Sequence, residues 1–251
     1  MKKTIIYLGV LLVIIASSCT KNFQKINTNP GSFVTAEPET VLPGVFVNTI
    51  NRFELTNIRT LWEYSHLVDP SGRYNPGDEG TWTTLYVNAL GNTTQLKKLF
   101  NDNPAYTNRM AITDIWECYV YDYLVGTYGP VPYSKTGTTT SNDIAYDDEN
   151  TIYASLLARL KTDAAAITTT GDKFTTDPIF AGNMSKWIKF ANSLRLRIAL
   201  SAQTNLPTLA ASNITDLMTN EAGLLSSDAD DPTLAYGTAV GSQSIYNVQL
   251  V

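Results

Sequence analysis

The stretch "MSKWIKFANSLRLRIAL", residues 184–200, decides the fold. Its apolar residues recur at steps of three and four, and this spacing places them on one face of an α-helix. That face carries Trp187, Ile188, Ala191, Leu194 and Ile198. A continuous apolar stripe is typical of a helix that packs against a core. The stretch therefore predicts a core-facing helix near the end of a helical domain.

The same periodicity extends along most of the chain. It predicts helices over residues 37–60, with an interruption at Pro43, and over residues 82–100, 106–127 and 213–220. Acidic residues 147–149 precede a further helix, where their charge complements the helix dipole. Strand-like alternation is missing, and the connections are long and rich in Gly, Pro and Thr. The chain is predicted to be all-α, built from helix pairs with long irregular loops.

Composition excludes several functional classes. The net charge is −5, and no basic run is long enough to follow a phosphate backbone, so nucleic acid is not an expected partner. His66 is the single histidine, and neither a zinc-ligand spacing nor a phosphate-binding loop is present. We therefore predict no catalytic residue, no metal and no cofactor. Fourteen tyrosines and four tryptophans suit neutral polar ligands such as sugars, although most rings are expected in the core.

The N-terminus has the pattern of a secretory signal. Lys2 and Lys3 precede an apolar run that ends in small residues directly before Cys19. The run is shorter than the ~20 residues that span a bilayer. "IASSC" is similar to a bacterial lipobox, in which the cysteine becomes the lipid-carrying mature N-terminus. Cys19 is the predicted lipid attachment site, residues 1–18 the signal peptide and residues 19–36 the tether. Cys118 then has no disulfide partner and is expected to be buried.

One loop holds the candidate ligand-binding residues. The stretch "DPSGRYNPGDEG", residues 69–80, contains two prolines and three glycines, and Trp82 follows it. A ring exposed beside such a loop can stack on a sugar, while an amide or carboxylate binds its hydroxyls. The candidates are Tyr74, Asn75, Asp78 and Trp82. The alternative for each ring is a place in the core.

Two other functions remain open at this point. A cell-envelope glycoside hydrolase would use a pair of carboxylates, for which Asp78 and Glu79 are the loop candidates. A helical protein–protein scaffold would bind other proteins and no small ligand.

Three segments resemble the SusD/RagB family of outer-membrane nutrient-binding lipoproteins, in its SusD-like branch. They are "FQKINTNPGS" after the lipobox-like cysteine, "LVGTYGPVPYSKTG" at residues 124–137, and "YDDENTIYASLLARL" leading to "DPIFAGNMSKWIKFANSLRLRIAL". In the last segment Trp187, Ala191, Asn192, Leu194 and Leu196 fall on a W-x-x-x-A-N-x-L-x-L pattern. The resemblance runs from the N-terminus to about Ala202.

The resemblance implies a fold and a function beyond what composition indicates. The fold would be an α-superhelix of tetratricopeptide-like helix pairs over residues 37–251, the N-terminal portion of a longer protein. The function would be non-catalytic: a surface lipoprotein, anchored in the outer membrane, binds a nutrient, usually an oligosaccharide. Its partner would be a SusC-like TonB-dependent porin, to which it delivers the ligand. Tyr128, Gly129, Pro130 and Pro132 would shape a scaffold turn.

Overall fold

The computed structural model describes residues 37–56, 79–101, 103–138 and 143–237. From Pro38 onward the chain forms one compact unit. The described ranges contain six helices: α1 (Pro38–Thr56), α2 (residues 79–100), α3 (Thr107–Tyr128), α4 (Glu149–Ala166), α5 (Met184–Ala202) and α6 (Pro207–Met218). Short 3₁₀ turns lie at Pro104–Tyr106, Glu221–Gly223 and Asp228–Asp230. Among these residues the only β pairing is an isolated bridge between Val131 and Asp147.

Each helix packs against the next one in the chain, from α1 on α2 to α5 on α6. α3 also contacts α5, so alternate helices share a layer. This nearest-neighbour stacking is the arrangement of a helical solenoid. The predicted all-α architecture of tetratricopeptide-like helix pairs is confirmed.

Aromatic side chains from three helices form the centre of the core. The Phe46 ring lies 4.4 Å from the Trp116 ring and 5.7 Å from the Trp187 ring, which joins α1, α3 and α5. The Trp187 indole donates a hydrogen bond of 2.8 Å to Asp177 Oδ2. Asp177 Oδ1 also accepts the backbone amide of Ile179 at 2.9 Å, so this buried carboxylate ties the loop before α5 to the core.

Helix ends follow local capping chemistry. The Asp148 side chain accepts the amide of Asn150 and caps α4. Asp147, predicted as part of that helix start, instead accepts the amides of Tyr133 and Ser134. Helix α6 begins at Pro207, earlier than predicted, because proline is favoured in the first turn. Pro43 lies inside α1 and does not end it. Residues 57–78, which include the predicted extension of this helix, lie outside the described residues.

No helix in the described part of the chain is long and apolar enough to cross a membrane.

Cys118 is fully buried, as predicted, and burial raises the pKa of its thiol well above the ordinary value. A buried thiol held protonated is a poor nucleophile, because the thiolate is the reactive form.

Candidate functional site

Helix α2 changes its winding after Thr83, the residue that follows Trp82. It is α-helical over Glu79–Thr83, π-helical over Thr84–Leu90 and α-helical again over Gly91–Phe100. The Gly91 amide donates to the Tyr86 carbonyl, five residues back, which is the hydrogen bond of a π-helix. Such segments occur frequently at functional sites, because the extra residue per turn redirects side chains. The segment directs attention to the face that carries Trp82 and Tyr86.

Four rings meet at this face, and we call Trp82, Tyr86, Tyr128 and Tyr146 the aromatic platform. Trp82 lies 4.6 Å from Tyr86, 5.3 Å from Tyr128 and 6.1 Å from Tyr146, measured between ring centroids. The Trp82 and Tyr146 planes differ by 22°. Tyr146 is 62% exposed and Tyr128 is 41% exposed, while Trp82 is partly buried against the core. The platform therefore joins the core to solvent.

Hydrogen bonds to backbone carbonyls fix the position of the platform rings. The Tyr86 hydroxyl donates 2.8 Å to the Pro132 carbonyl, and burial raises the pKa of Tyr86, so the hydroxyl keeps its proton. The Asp147 amide donates 2.9 Å to the Val131 carbonyl, which sets the position of neighbouring Tyr146. Gly129 has a φ of 74°, a conformation that glycine adopts without steric cost, and it turns the chain directly after Tyr128. The C-terminal end of α3 and the connection that follows it thus bring Tyr128 and Tyr146 to Trp82.

Such a surface can bind a neutral, amphipathic ring. Aromatic side chains supply large apolar area, and Tyr and Trp add hydrogen-bonding groups at their edges. Trp and Tyr are also enriched among the residues that contribute most of the binding energy at interfaces. The arrangement suits stacking with a sugar ring.

Of the predicted ligand-binding residues, Trp82 lies in the described part of the chain. Tyr74, Asn75 and Asp78 lie outside the described residues, as does Cys19. Trp82 packs against the core and is also one ring of the aromatic platform, so it combines the core position and the surface position that the sequence left open. Sequence reasoning missed Tyr146 and assigned Tyr128 to a scaffold turn. Their position in long, non-periodic connections was the available signal.

A second cluster of polar groups lies between α2, α3 and α4. Lys97 Nζ lies 2.5 Å from Asp114 and 2.7 Å from Glu117, and Arg159 binds the same two carboxylates. Burial opposes ionisation of Asp114, but the hydrogen bonds and charges of Arg159 and Lys97 hold its pKa below the ordinary value. The two cations and two anions balance, so this network is a structural tie between three helices.

Asp163 extends the network in protonated form. Burial raises the pKa of Asp163 to about 9, and the charge of Asp114 and a hydrogen bond with it act in the same direction. The Asp114 and Asp163 carboxylates and the Cys118 thiol lie within 4.8 Å of one another. This trio is a poor metal site, because Lys97 and Arg159 already neutralise Asp114 while Asp163 and Cys118 retain their protons.

Comparisons with known proteins agree with this architecture. Residues 41–249 match the SusD-like family described as starch-binding and associating with the outer membrane. A search of curated protein sequences finds no match. A SusD homologue from Parabacteroides distasonis is 21% identical with a TM-score of 0.68, covering 85% of this chain and 44% of its own.

Two further structures have similar folds. A chitin-binding protein is 24% identical with a TM-score of 0.63, covering 77% of this chain and 45% of its own. A chitin-binding SusD homologue from Flavobacterium johnsoniae is 21% identical with a TM-score of 0.62, covering 77% of this chain and 44% of its own. This chain thus spans less than half the length of these relatives. Because the family match covers residues 41–249, which is most of this chain, the chain belongs to the SusD-like family, described as starch-binding and associating with the outer membrane.

Proposed function

We propose that this chain binds an oligosaccharide on the aromatic platform, as the nutrient-binding component of an outer-membrane uptake system. The observation that carries the proposal is the exposed Tyr146 ring, which lies 6.1 Å from Trp82 with the two planes 22° apart, close to the π-helical segment. Tyr74, Asn75 and Asp78 precede Trp82 in the chain and are proposed to add contacts. The family description and the two chitin-binding relatives support a carbohydrate ligand. The protein acts by binding, without catalysis.

The anchor and the partner belong to the same proposal. Cys19 carries the lipid after removal of residues 1–18, residues 19–36 form the tether, and the domain from residue 37 faces the cell surface. Two or more acyl chains anchor a protein stably, since each buried CH₂ contributes ~0.8 kcal/mol. The bound ligand passes to a SusC-like TonB-dependent transporter. The lipobox-like sequence and the family's association with the outer membrane support this arrangement.

The binding proposal is tested by titrating the protein with maltoheptaose and chitohexaose. Removing a ring from the centre of a binding surface commonly costs 2 kcal/mol or more, so Trp82→Ala should weaken binding by roughly thirtyfold. Tyr146→Ala should weaken it by about tenfold. Leu200→Ala is the matched control, because Leu200 is an exposed apolar residue of α5 outside the platform. Wild-type affinity in the Trp82→Ala variant would refute the site.

The anchor and partner are tested in native outer membranes. Affinity capture of the full-length protein, followed by mass spectrometry, should recover a TonB-dependent transporter and an acylated Cys19 peptide. An unmodified N-terminus would contradict the anchor, and capture without a transporter would contradict delivery.

A further inference from the structure

A cavity of about 500 Å³ lies between α2, α3, α4 and the loop that follows α3. We call it the α2–α4 cavity; Met110, Tyr121, Tyr133, Lys98 and Arg159 are among its lining residues. Its volume falls within the range of small-molecule sites, roughly 300–1,000 Å³. None of the four rings of the aromatic platform lines it. The cavity is therefore a second candidate site, separate from the proposed oligosaccharide surface.

The cavity has aromatic walls held in place by hydrogen bonds. The Tyr121 and Tyr133 rings meet edge to face with centroids 4.7 Å apart. The Tyr133 hydroxyl accepts from Arg159 Nη1 at 2.9 Å and lies 2.6 Å from Ser155 Oγ. The Tyr133 amide donates 3.0 Å to Asp147 Oδ2, which fixes the loop. These contacts pre-form a partly apolar wall, and a pre-formed site avoids the entropic cost of ordering it around a ligand.

The loop also closes tightly on α2. Gly137 has a φ of 72°, and a Cβ atom at this position would lie 2.8 Å from Thr94 Cγ2. Glycine is therefore required for the loop to reach α2 at this distance. Thr94 and Gly137 both line the cavity, so this close contact forms part of its wall.

The charge available to a ligand in this cavity is positive. The Glu117 carboxylate accepts from Thr93 through Oε1 and from Lys97 and Arg159 through Oε2, so both of its oxygens are occupied. Lys97 and Arg159 are in turn neutralised by Glu117 and Asp114. Lys98 lines the same cavity and is exposed, and it forms no ion pair within the described residues. An anionic group on a ligand would find its partner at Lys98.

We propose that the α2–α4 cavity binds an acidic sugar residue, such as a hexuronate, with its ring against Tyr133 and its carboxylate at Lys98. The choice of a sugar rests on the proposed function, whereas the choice of an acidic one rests on the charge of the cavity. The partly exposed Tyr133 ring, which the buried Tyr121 ring contacts edge to face, supplies apolar contact area. Thr94 is the lining residue proposed to bind a sugar hydroxyl. A charge-assisted hydrogen bond to Lys98 is stronger than a neutral one, and it favours a uronate over the corresponding neutral sugar.

The test is an NMR titration of the full-length protein with D-galacturonate and, separately, with D-galactose. Galacturonate should bind at least about fivefold more tightly than galactose, and Lys98→Gln should remove this preference. Lys135→Gln is the matched control, because it removes the same charge from the neighbouring loop at a residue that does not line the cavity. The control should keep the wild-type preference.

The outcomes separate this inference from the proposed function. Galacturonate binding that survives Trp82→Ala and is weakened by Lys98→Gln supports the cavity, even if maltoheptaose and chitohexaose fail to bind. Loss of galacturonate binding in Trp82→Ala places the acid on the platform and overturns the inference. Equal affinity for galactose, an unchanged Lys98→Gln variant, or no saturable galacturonate binding overturns it as well.

Discussion

Replacing Asp163 with asparagine should abolish most of the pH dependence of stability near neutral pH. Burial and the charge of Asp114 raise the pKa of Asp163 from its ordinary 3.8 to about 9 in the folded protein. Between these values the folded state keeps a proton that the unfolded state has lost. Stability therefore falls as pH rises, since the unfolded state binds fewer protons. Asparagine cannot ionise, and its Nδ2 group can donate to Asp114 as the protonated acid does.

The size of the effect follows from proton linkage. One proton held only by the folded state changes the free energy of unfolding by about 1.4 kcal/mol per pH unit. Between pH 6 and pH 8 the wild type should therefore lose roughly 2.7 kcal/mol that the variant retains. Burial also raises the pKa of Asp122, but both proteins contain this residue, so the difference between them isolates Asp163.

The assay is urea unfolding of the wild type and Asp163→Asn at several pH values across this window. Asp216→Asn is the matched control, because hydrogen bonds from Arg195 and Lys161 lower the pKa of Asp216, so it stays ionised in both states near neutrality. In the control, the free energy of unfolding should change with pH as it does in the wild type. A wild type whose stability is flat from about pH 6 to pH 8, or an Asp163→Asn variant with the same slope, would refute the reasoning.

Three further substitutions test the packing around the site. Asp177→Ala leaves the buried Trp187 indole without its acceptor and should cost about 3 kcal/mol in urea unfolding; an unchanged midpoint would contradict the assigned role. Gly137→Ala places a Cβ atom at a positive φ and 2.8 Å from Thr94 Cγ2, so thermal unfolding should show that the folded state loses about 1–3 kcal/mol of stability. A variant more stable than the wild type would contradict this assignment. Tyr86→Phe keeps the ring but removes the bond to Pro132, so we expect about 1 kcal/mol of destabilisation with oligosaccharide affinity within about twofold of wild type; a large loss of affinity would show that the hydroxyl contacts the ligand.

The helices were largely predictable because their signals are local. The α5 stripe around Trp187 predicted a core-facing helix, and α5 runs from Met184 to Ala202 with Trp187 fully buried. The predicted interruption at Pro43 was wrong, although Pro43 lies beyond the first turn of α1 and cannot donate to the Glu39 carbonyl. The Thr176 hydroxyl donates to that carbonyl instead, so the acceptor keeps a partner. Gly91 and Asn92 do not interrupt α2 either, because the π-helical segment precedes them and regular α-helix begins at Gly91.

The sequence by itself determined the helical architecture, the family resemblance and the burial of Cys118, since periodicity and motif spacing are properties of neighbouring residues. Only the tertiary structure brought Tyr146 to Trp82, because a contact across a long non-periodic connection has no local sequence signal. It also decided the protonation of Asp163, which depends on burial and on the charge of Asp114 on another helix. Local periodicity specifies which residues form a helix, whereas the position of a ring and the pKa of a carboxyl depend on what the rest of the chain places beside them.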